Sequence, residues 1–219
     1  MWNQADIFMF GRGILETLYM TFFSSFVAYI IGLPLGILLV VTDKDGIKPS
    51  PRINQVLGII VNLIRSVPFV ILLVALMSAT RFIVGTTLGP SAVLPSLIIG
   101  SAPYIARVVE SSLKEVDKGV IEAAQSMGAT PFQIIYKVLL PESKPSLVIG
   151  GAITITTILG YTALAGFVGG GGLGDIAIRY GYYRYETEMM MVALILMVLI
   201  VQAIQEVGNR WSRRTDKRI

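Results

Sequence analysis

The sequence predicts an all-α integral membrane protein with five transmembrane helices, and composition and charge placement support this. Hydrophobic residues make up 54% of the 219 residues and charged residues only 15%, whereas soluble domains carry about 25% charged residues. Nearly uncharged stretches of about 20 residues are long enough to cross the apolar core of a bilayer. Short charged loops separate them. We therefore treat 1–219 as one transmembrane domain, with predicted spans at about 14–42, 56–80, 91–112, 146–168 and 189–208.

The first span is the clearest, because Thr17 to Thr42 contains no charged residue. It also contains Pro34 between Gly32 and Gly36. A proline flanked by glycines predicts a kink and a close approach of a neighbouring helix.

The second and third spans contain charges and prolines. Arg65 lies within the second span, where a central arginine costs about 2.5–3.5 kcal/mol on insertion; alternatively, this part of the span is interfacial and Arg65 lies near the lipid headgroups. Pro95 and Pro103 are predicted to break the third span, and Arg107 and Glu110 are spaced to pair on one helix face.

The fourth span is rich in small residues, which favours an inner helix that packs closely against its neighbours. Residues 166–188 are interpreted as a loop. Gly169, Gly171 and Gly174 match G-x-G-x-x-G, but an apolar span precedes them instead of a strand, so we reject a nucleotide fold.

The segment 117–141 is the longest mixed polar and apolar stretch of the chain. Asp117 is a typical N-cap for a helix over Lys118–Met127, which Gly128 ends. Thr130 is the next predicted N-cap, followed by Pro131 at the first helical position.

Pro141 is then predicted to stop this second helix. Two capped helices on a membrane face suggest a docking element. The alternative from chemistry alone is an amphipathic connector that lies on the lipid surface.

The basic residues indicate the orientation. Twelve of the 18 Lys and Arg fall on one side of the five spans and four on the other, with Arg65 and Arg107 inside spans. The positive-inside rule predicts a cytoplasmic C-terminus and 117–141 segment, with the N-terminus outside. This explains the net charge of +4 without a nucleic-acid partner. The twelve are Lys44, Lys48, Arg52, Lys114, Lys118, Lys137, Lys144, Arg210, Arg213, Arg214, Lys217 and Arg218.

Several function classes are disfavoured. The chain has no P-loop, so it is not expected to hydrolyse ATP itself, and without cysteine or histidine it lacks the usual metal ligands and general base. A secondary transporter would place Asp, Glu or His in mid-membrane, and a channel would show a filter motif or charge ring. The sequence shows neither pattern. A passive anchor would not need kinked, small-residue spans. Five helices are few for enclosing a solute path, which favours a symmetric pair of chains.

Glu122-Ala123-Ala124, Gly128 and Leu140-Pro141, with Val138 or Ile135 as the aliphatic position, resemble the E-A-A-x(3)-G-x(9)-I-x-L-P signature of the permeases of binding-protein-dependent ABC importers. Further stretches resemble the methionine-importer permeases among them. They include 16–18, 32–34, 62–69, 83–86, 102–110, 127–131 and 170–174.

The resemblance implies a type I ABC importer permease fold in the bacterial inner membrane, with a cytoplasmic coupling helix between the third and fourth spans. It implies a homodimer, two cytoplasmic ATPase subunits that hold the ATP and Mg²⁺, and an extracytoplasmic methionine-binding lipoprotein. The substrate would be L-methionine and D-methionine, moved by alternating access; an importer of another small amino acid and an ion-coupled carrier remain alternatives. No cofactor is expected on this chain.

The expected site residues form two groups. By resemblance, the ATPase-coupling residues are Glu122, Ala123, Ala124, Gly128 and Thr130. The translocation path is expected at Tyr161, Thr162, Leu164 and Arg65, with Leu164 as an outer gate, although packing is the alternative role for these side chains.

Overall fold

The computed structural model describes residues 3–215, and all the regular structure in this part of the chain is helical. The α-helices run in the following order along the chain. They are α1 Gln4–Val41, α2 Pro51–Arg65, α3 Phe69–Val84, α4 Pro90–Lys114, α5 Lys118–Ser126, α6 Pro131–Ile134, α7 Leu140–Glu142, α8 Lys144–Ala165, α9 Gly172–Ile176 and α10 Thr187–Thr215.

Within residues 3–215, four helices are long and apolar enough to cross a membrane, and the bent pair α2 and α3 would make a fifth span. The prediction of an all-α membrane protein is therefore confirmed. The predicted span at 56–80 is not one straight helix, because the chain leaves the helix at Ser66–Pro68 and the two parts are bent by 97°. Pro68 restricts the residue before it to extended conformations, which is why α2 ends there.

Three of the predicted spans are longer helices in the structure. Helix α1 has 38 residues, or roughly 57 Å at 1.5 Å per residue. Helix α10 continues to Thr215. The prediction that Pro95 and Pro103 break the third span is wrong, since α4 is continuous. A proline removes one hydrogen bond, but a well-packed membrane helix tolerates the loss.

The predicted close approach at Gly32 and Gly36 is confirmed. A Cβ atom at Gly32 would lie 2.7 Å from the Ala102 carbonyl oxygen, and one at Gly36 would lie 2.6 Å from that of Ala106. Glycines therefore let α1 and α4 pack backbone against backbone, as small residues do in membrane helix pairs.

Residues 166–188 are mostly helical, so the loop prediction is wrong. A 3-10 turn at Gly166–Val168 is followed by α9 and a π-helical stretch at Ala177–Tyr182. Every residue of α9 is buried. The contacts that order this segment come from distant parts of the sequence. The local sequence shows only its glycines, which favour a loop.

The chain divides into two compact units. Within the described residues, the first comprises 3–27, Val67–Ser101 and Ile155–Gln205, and the second comprises Ala28–Ser66, Ala102–Thr154 and 206–215. The core of the first unit includes Met20, Leu73, Leu97, Ile158, Phe10, Leu173, Ile176 and Ala193. The core of the second unit includes Ile105, Val109, Leu113, Ile134, Leu139, Leu39, Val61 and Ala106.

Candidate functional site

The segment between α4 and α8 begins with α5, a helix with clear ends. The Asp117 carboxylate accepts a hydrogen bond from the Gly119 N–H at 2.7 Å and caps the helix. At the other end Gly128 has φ +79°, a left-handed conformation that glycine adopts without strain. The predicted N-cap and glycine stop are thus both present, with the helix ending one residue earlier than predicted.

The second helix of this segment opens with a capping box. The Thr130 hydroxyl accepts a hydrogen bond from the Gln133 N–H, and the Gln133 side chain accepts one from the Thr130 N–H at 2.9 Å. Pro131 occupies the first helical position. Both orphan donors at the helix start are therefore satisfied.

Pro141 does not stop this helix, contrary to the prediction. The helix passes through a π-helical stretch at Ile135–Leu139 and continues to Glu142. The Leu140 N–H donates to the Ile135 carbonyl, five residues back. A proline ring normally clashes with the carbonyl four residues before it, and the wider turn relieves that clash.

The two-helix segment is fixed by one face and exposed on the other. Ala124, Ile134 and Leu139 are buried in the apolar cluster that also contains Leu113 and Val116. The exposed residues include most of the expected coupling positions and several large apolar side chains. They are Glu122, Ala123, Gly128, Thr130, Met127, Phe132 and Tyr136.

Exposed large apolar side chains next to a capped, anchored helix pair are typical of a protein–protein contact. Met127 is 82% exposed and Phe132 is 74% exposed, with the Phe132 ring stacked against Tyr136. Of the five expected coupling residues, Ala124 alone is buried, at 5% exposure. Ala124 therefore holds α5 in place, while the other four lie on the exposed surface.

The four expected path residues are not all in one unit. Tyr161 stacks on Phe69 with ring centroids 4.3 Å apart, and the buried Thr162 hydroxyl donates to the Leu159 carbonyl at 2.7 Å. Leu164 is partly exposed in the last turn of α8. Arg65 is exposed at the end of α2 in the other unit.

Sequence reasoning missed the contacts that order the glycine-rich segment. The Glu16 carboxylate accepts a hydrogen bond from the Gly172 N–H at 2.8 Å, and the Thr17 hydroxyl accepts one from the Leu173 N–H at 2.9 Å. These two side chains of α1 cap the start of α9 from 156 residues away. No local pattern could have indicated them.

Two ion pairs near this segment could be predicted from the sequence, because the residues of each have i, i+4 spacing. Arg12 pairs with Glu16 at 2.7 Å, and Arg179 pairs with Asp175 at 2.8 Å. Burial raises the pKa of Asp175, which Arg179 partly offsets. Within residues 3–215, no group of three or more acidic, histidine or cysteine side chains is placed to hold a metal ion.

The sequence and the overall fold match proteins of known type. The family of binding-protein-dependent transport system inner membrane components matches residues 28–219. The Vibrio cholerae probable D-methionine transport system permease protein MetI is 48% identical over 93% of this chain and 90% of its own length. The Bacillus subtilis methionine import system permease protein MetP is 48% identical over 98% and 97%.

A chain in the inward-facing structure of the MetNI methionine ABC transporter superposes with a TM-score of 0.97 at 45% identity, covering 99% of this chain and 100% of that one. The matches cover nearly the whole of each partner, and the sequence identity is far above what a shared fold alone requires. The chain therefore belongs to the family of binding-protein-dependent transport system inner membrane components, and within it to the methionine-importer permeases.

Proposed function

We propose that this chain is the membrane-spanning subunit of an ATP-driven importer of L-methionine and D-methionine in the bacterial inner membrane. The observation that carries this proposal is identity of 48% over nearly the full length with two permeases named for methionine transport, from Vibrio cholerae and Bacillus subtilis. Relatives this similar over a whole chain usually share a substrate class. The structural match to a methionine ABC transporter supports the same substrate.

The chain spans the membrane five times, with the bent pair α2 and α3 as the second span. The N-terminus is outside and the C-terminus is in the cytoplasm. The excess of Lys and Arg on one side supports this orientation. The coupling helices α5 and α6 then lie in the cytoplasm, between the third span α4 and the fourth span α8.

The chain acts as a homodimer with two cytoplasmic ATPase subunits, which bind and hydrolyse ATP with Mg²⁺. The exposed Glu122, Ala123, Gly128 and Thr130 meet a groove on each ATPase subunit, and the buried Ala124 fixes α5 to the permease. Support comes from the exposed apolar surface beside these residues and from its anchored opposite face. Closure of the ATPase pair thereby moves the spans.

An extracytoplasmic methionine-binding lipoprotein delivers the substrate, and alternating access carries it across. Leu164 forms part of an outer gate, supported by its partial exposure at the end of α8. Tyr161 and Thr162 shape the path from within the same helix. Arg65 is a further proposed path residue, on the ground of its place in the sequence. The packed ring of Tyr161 and the satisfied hydroxyl of Thr162 make these two side chains rigid parts of the wall.

The test is reconstitution of the permease with its ATPase subunits and binding protein in liposomes. We expect ATP-dependent uptake of labelled L-methionine and D-methionine that other amino acids do not displace. Uptake of a different amino acid would refute the substrate, and uptake driven by an ion gradient without ATPase subunits would refute the class. Cysteine labelling of Glu122→Cys, in a chain without native cysteine, checks the orientation: labelling from outside would refute it.

A matched pair of variants tests the coupling surface. Gly128→Glu places a charge at the exposed joint between α5 and α6 and is expected to abolish ATP-dependent uptake. Gly128→Asn keeps a residue that tolerates the left-handed backbone and should retain most uptake. Unchanged uptake by the Glu variant would contradict the assignment of this joint.

A further inference from the structure

Five polar side chains form an unbroken chain of contacts along the second half of α4. Arg107 donates to the Asn62 side-chain oxygen at 2.9 Å and pairs with Glu110 at 2.5 Å. The other Glu110 oxygen is 2.9 Å from the Lys114 ammonium, which also pairs with Asp43 at 2.8 Å. Asn62 belongs to α2 and Asp43 follows the end of α1, so the chain of contacts connects three helices of the second unit.

Glu110 is the central member and the least exposed. Its side chain is 12% exposed, against 26% for Arg107 and 47% for Lys114. A carboxylate at such a position is stabilised by its two cations, and the loss of either removes part of that stabilisation. Because Glu110 is largely shielded from water, salt screens its ion pairs less than it screens pairs between two fully exposed side chains.

The Asp43 end of the chain lies next to the coupling helix. Asp43 and Lys114 line a cavity of about 390 Å³, and other lining residues include Ile121 and Glu122 of α5. Side chains do not fill this space, so the ion pair supplies a direct connection there between α4 and the residues after α1. The hydrogen bond from Lys114 lowers the pKa of Asp43, so the ion pair persists to more acidic pH than an unperturbed carboxylate would allow.

Lys114 is also the last residue of α4, close in sequence to the Asp117 cap of α5. A displacement of α5 therefore acts first on the end of α4 that carries this ammonium. The apolar cluster around Leu113 and Val116 joins α5 to α4, and the polar chain extends that connection to α1 and α2.

We propose that Glu110 and Lys114 are positioning residues for energy coupling, which hold the end of α1 and the helix α2 to α4 when the ATPase subunits move α5. The proposal rests on the proposed function. Each acts by making three helices respond together to the coupling helices.

The experiment measures methionine imported per ATP hydrolysed by the reconstituted complex, for Lys114→Met, Lys114→Arg, Asp43→Asn and the Asp43→Asn/Lys114→Met double variant. The control is Lys48→Met, which removes an exposed lysine from the turn that contains Asp43. Networks of this kind change coupling by about 0.5–2 kcal/mol, or roughly two- to thirtyfold. We expect Lys114→Met to lower the ratio by about threefold or more, and Lys114→Arg to restore it.

The double variant distinguishes a shared contact from two separate effects. If Asp43 and Lys114 act through one ion pair, the double variant imports as much methionine per ATP as Lys114→Met alone. Multiplied losses would overturn the proposal, as would an unchanged ratio in Lys114→Met or an equal loss in Lys48→Met.

Ratios are compared on assembled complexes isolated by size exclusion. If Lys114→Met does not assemble, Asp43→Asn carries the test, because it removes one contact and leaves the Glu110–Lys114 pair intact; an unchanged ratio would overturn the proposal. A wild-type complex that hydrolyses ATP but imports no methionine would refute the proposed function instead, separately from these comparisons.

Discussion

Two regions outside the long helices, residues 117–142 and residues 166–182, use glycine for opposite purposes. In the first, Gly128 turns the chain in open space, with no atom beyond its own chain neighbours within 4 Å of the position of a Cβ. In the second, Gly166 and Gly174 let two backbone segments touch: a Cβ at Gly166 would lie 2.5 Å from the Gly174 carbonyl carbon. Gly128 therefore provides conformational freedom, whereas Gly166 and Gly174 allow two backbone segments to approach closely.

The two regions also differ in how far along the sequence their stabilising contacts lie. Residues 117–142 are ordered by caps from within the segment, from Asp117 and Thr130. Residues 166–182 are ordered by Glu16 and Thr17, which lie 156 residues away. Local caps therefore set the helix ends of the exposed segment, whereas the start of the buried segment depends on distant residues of its unit.

The largest expected effect separates the two kinds of glycine. Gly174→Ala places a Cβ 2.5 Å from the Ala163 carbonyl oxygen, where backbone cannot move aside. We expect the free energy of unfolding to fall by about 2–3 kcal/mol, as in overpacked cores. The measurement is unfolding of the purified protein in mixed micelles with increasing SDS.

Gly160→Ala is the matched control, because nothing lies within 4 Å of its Cβ position in α8. Alanine is a better helix former than glycine by about 1 kcal/mol, so this variant should be as stable as the wild type or more so. Equal effects of the two substitutions would show that the tight backbone contact does not limit stability.

The second effect tests the distant cap. Thr17→Val removes the hydroxyl that accepts from the buried Leu173 N–H. A buried donor left without a partner costs about 1–3 kcal/mol, and unfolding in SDS should show a loss in this range. Thr17→Ser keeps the hydroxyl and should recover most of it; a Ser variant as unstable as the Val variant would mean that the methyl group matters, not the hydrogen bond.

The third effect is smaller and concerns the exposed joint. Gly128→Ala introduces no clash, but it forces a non-glycine residue to adopt φ near +79°. The left-handed conformation costs about 1–2 kcal/mol for an L-residue. The same unfolding assay should give a loss near the lower figure, since the exposed joint can adjust. A loss as large as that of Gly174→Ala would remove the distinction between the two regions.

The sequence could predict the locally determined parts of this molecule. The apolar stretches predict the membrane helices, and Asp117, Gly128 and Thr130 predict the ends of α5 and the start of α6 because caps act over a few residues. The Arg107–Glu110 pair followed from its spacing and is present at 2.5 Å.

The remaining features depend on distant neighbours or on compensation within a helix. The burial of α9 follows from Glu16 and Thr17, which no local pattern connects with Gly172. Pro141 is accommodated by a π-helical turn, which no pattern in the neighbouring residues predicts. The continuity of α4 through Pro95 and Pro103 likewise reflects packing, which overrides local propensity.

The smallest effect sharpens the comparison by testing a charge inside the buried segment. Asp175 is 9% exposed, and burial raises its pKa, with a further contribution from Glu16 and an opposing one from Arg179. The folded protein therefore binds more protons than the unfolded chain between the ordinary and the raised pKa. The Asp175 contribution to stability accordingly falls as pH rises through that window.

Asp175→Asn removes this dependence together with the ion pair to Arg179, which has i, i+4 spacing and is worth about 0.3–0.5 kcal/mol. We expect the wild type to lose stability relative to the Asn variant as the pH rises above the ordinary carboxyl pKa of about 4, with the variant at least as stable at neutral pH. Glu188→Gln changes an exposed carboxylate of the same unit and serves as the control. If the stability of the wild type instead rose relative to that of the Asn variant as the pH rose, the ion pair with Arg179 would outweigh the cost of burying the charge. The buried segment would then tolerate a charge as readily as the exposed α5 surface does.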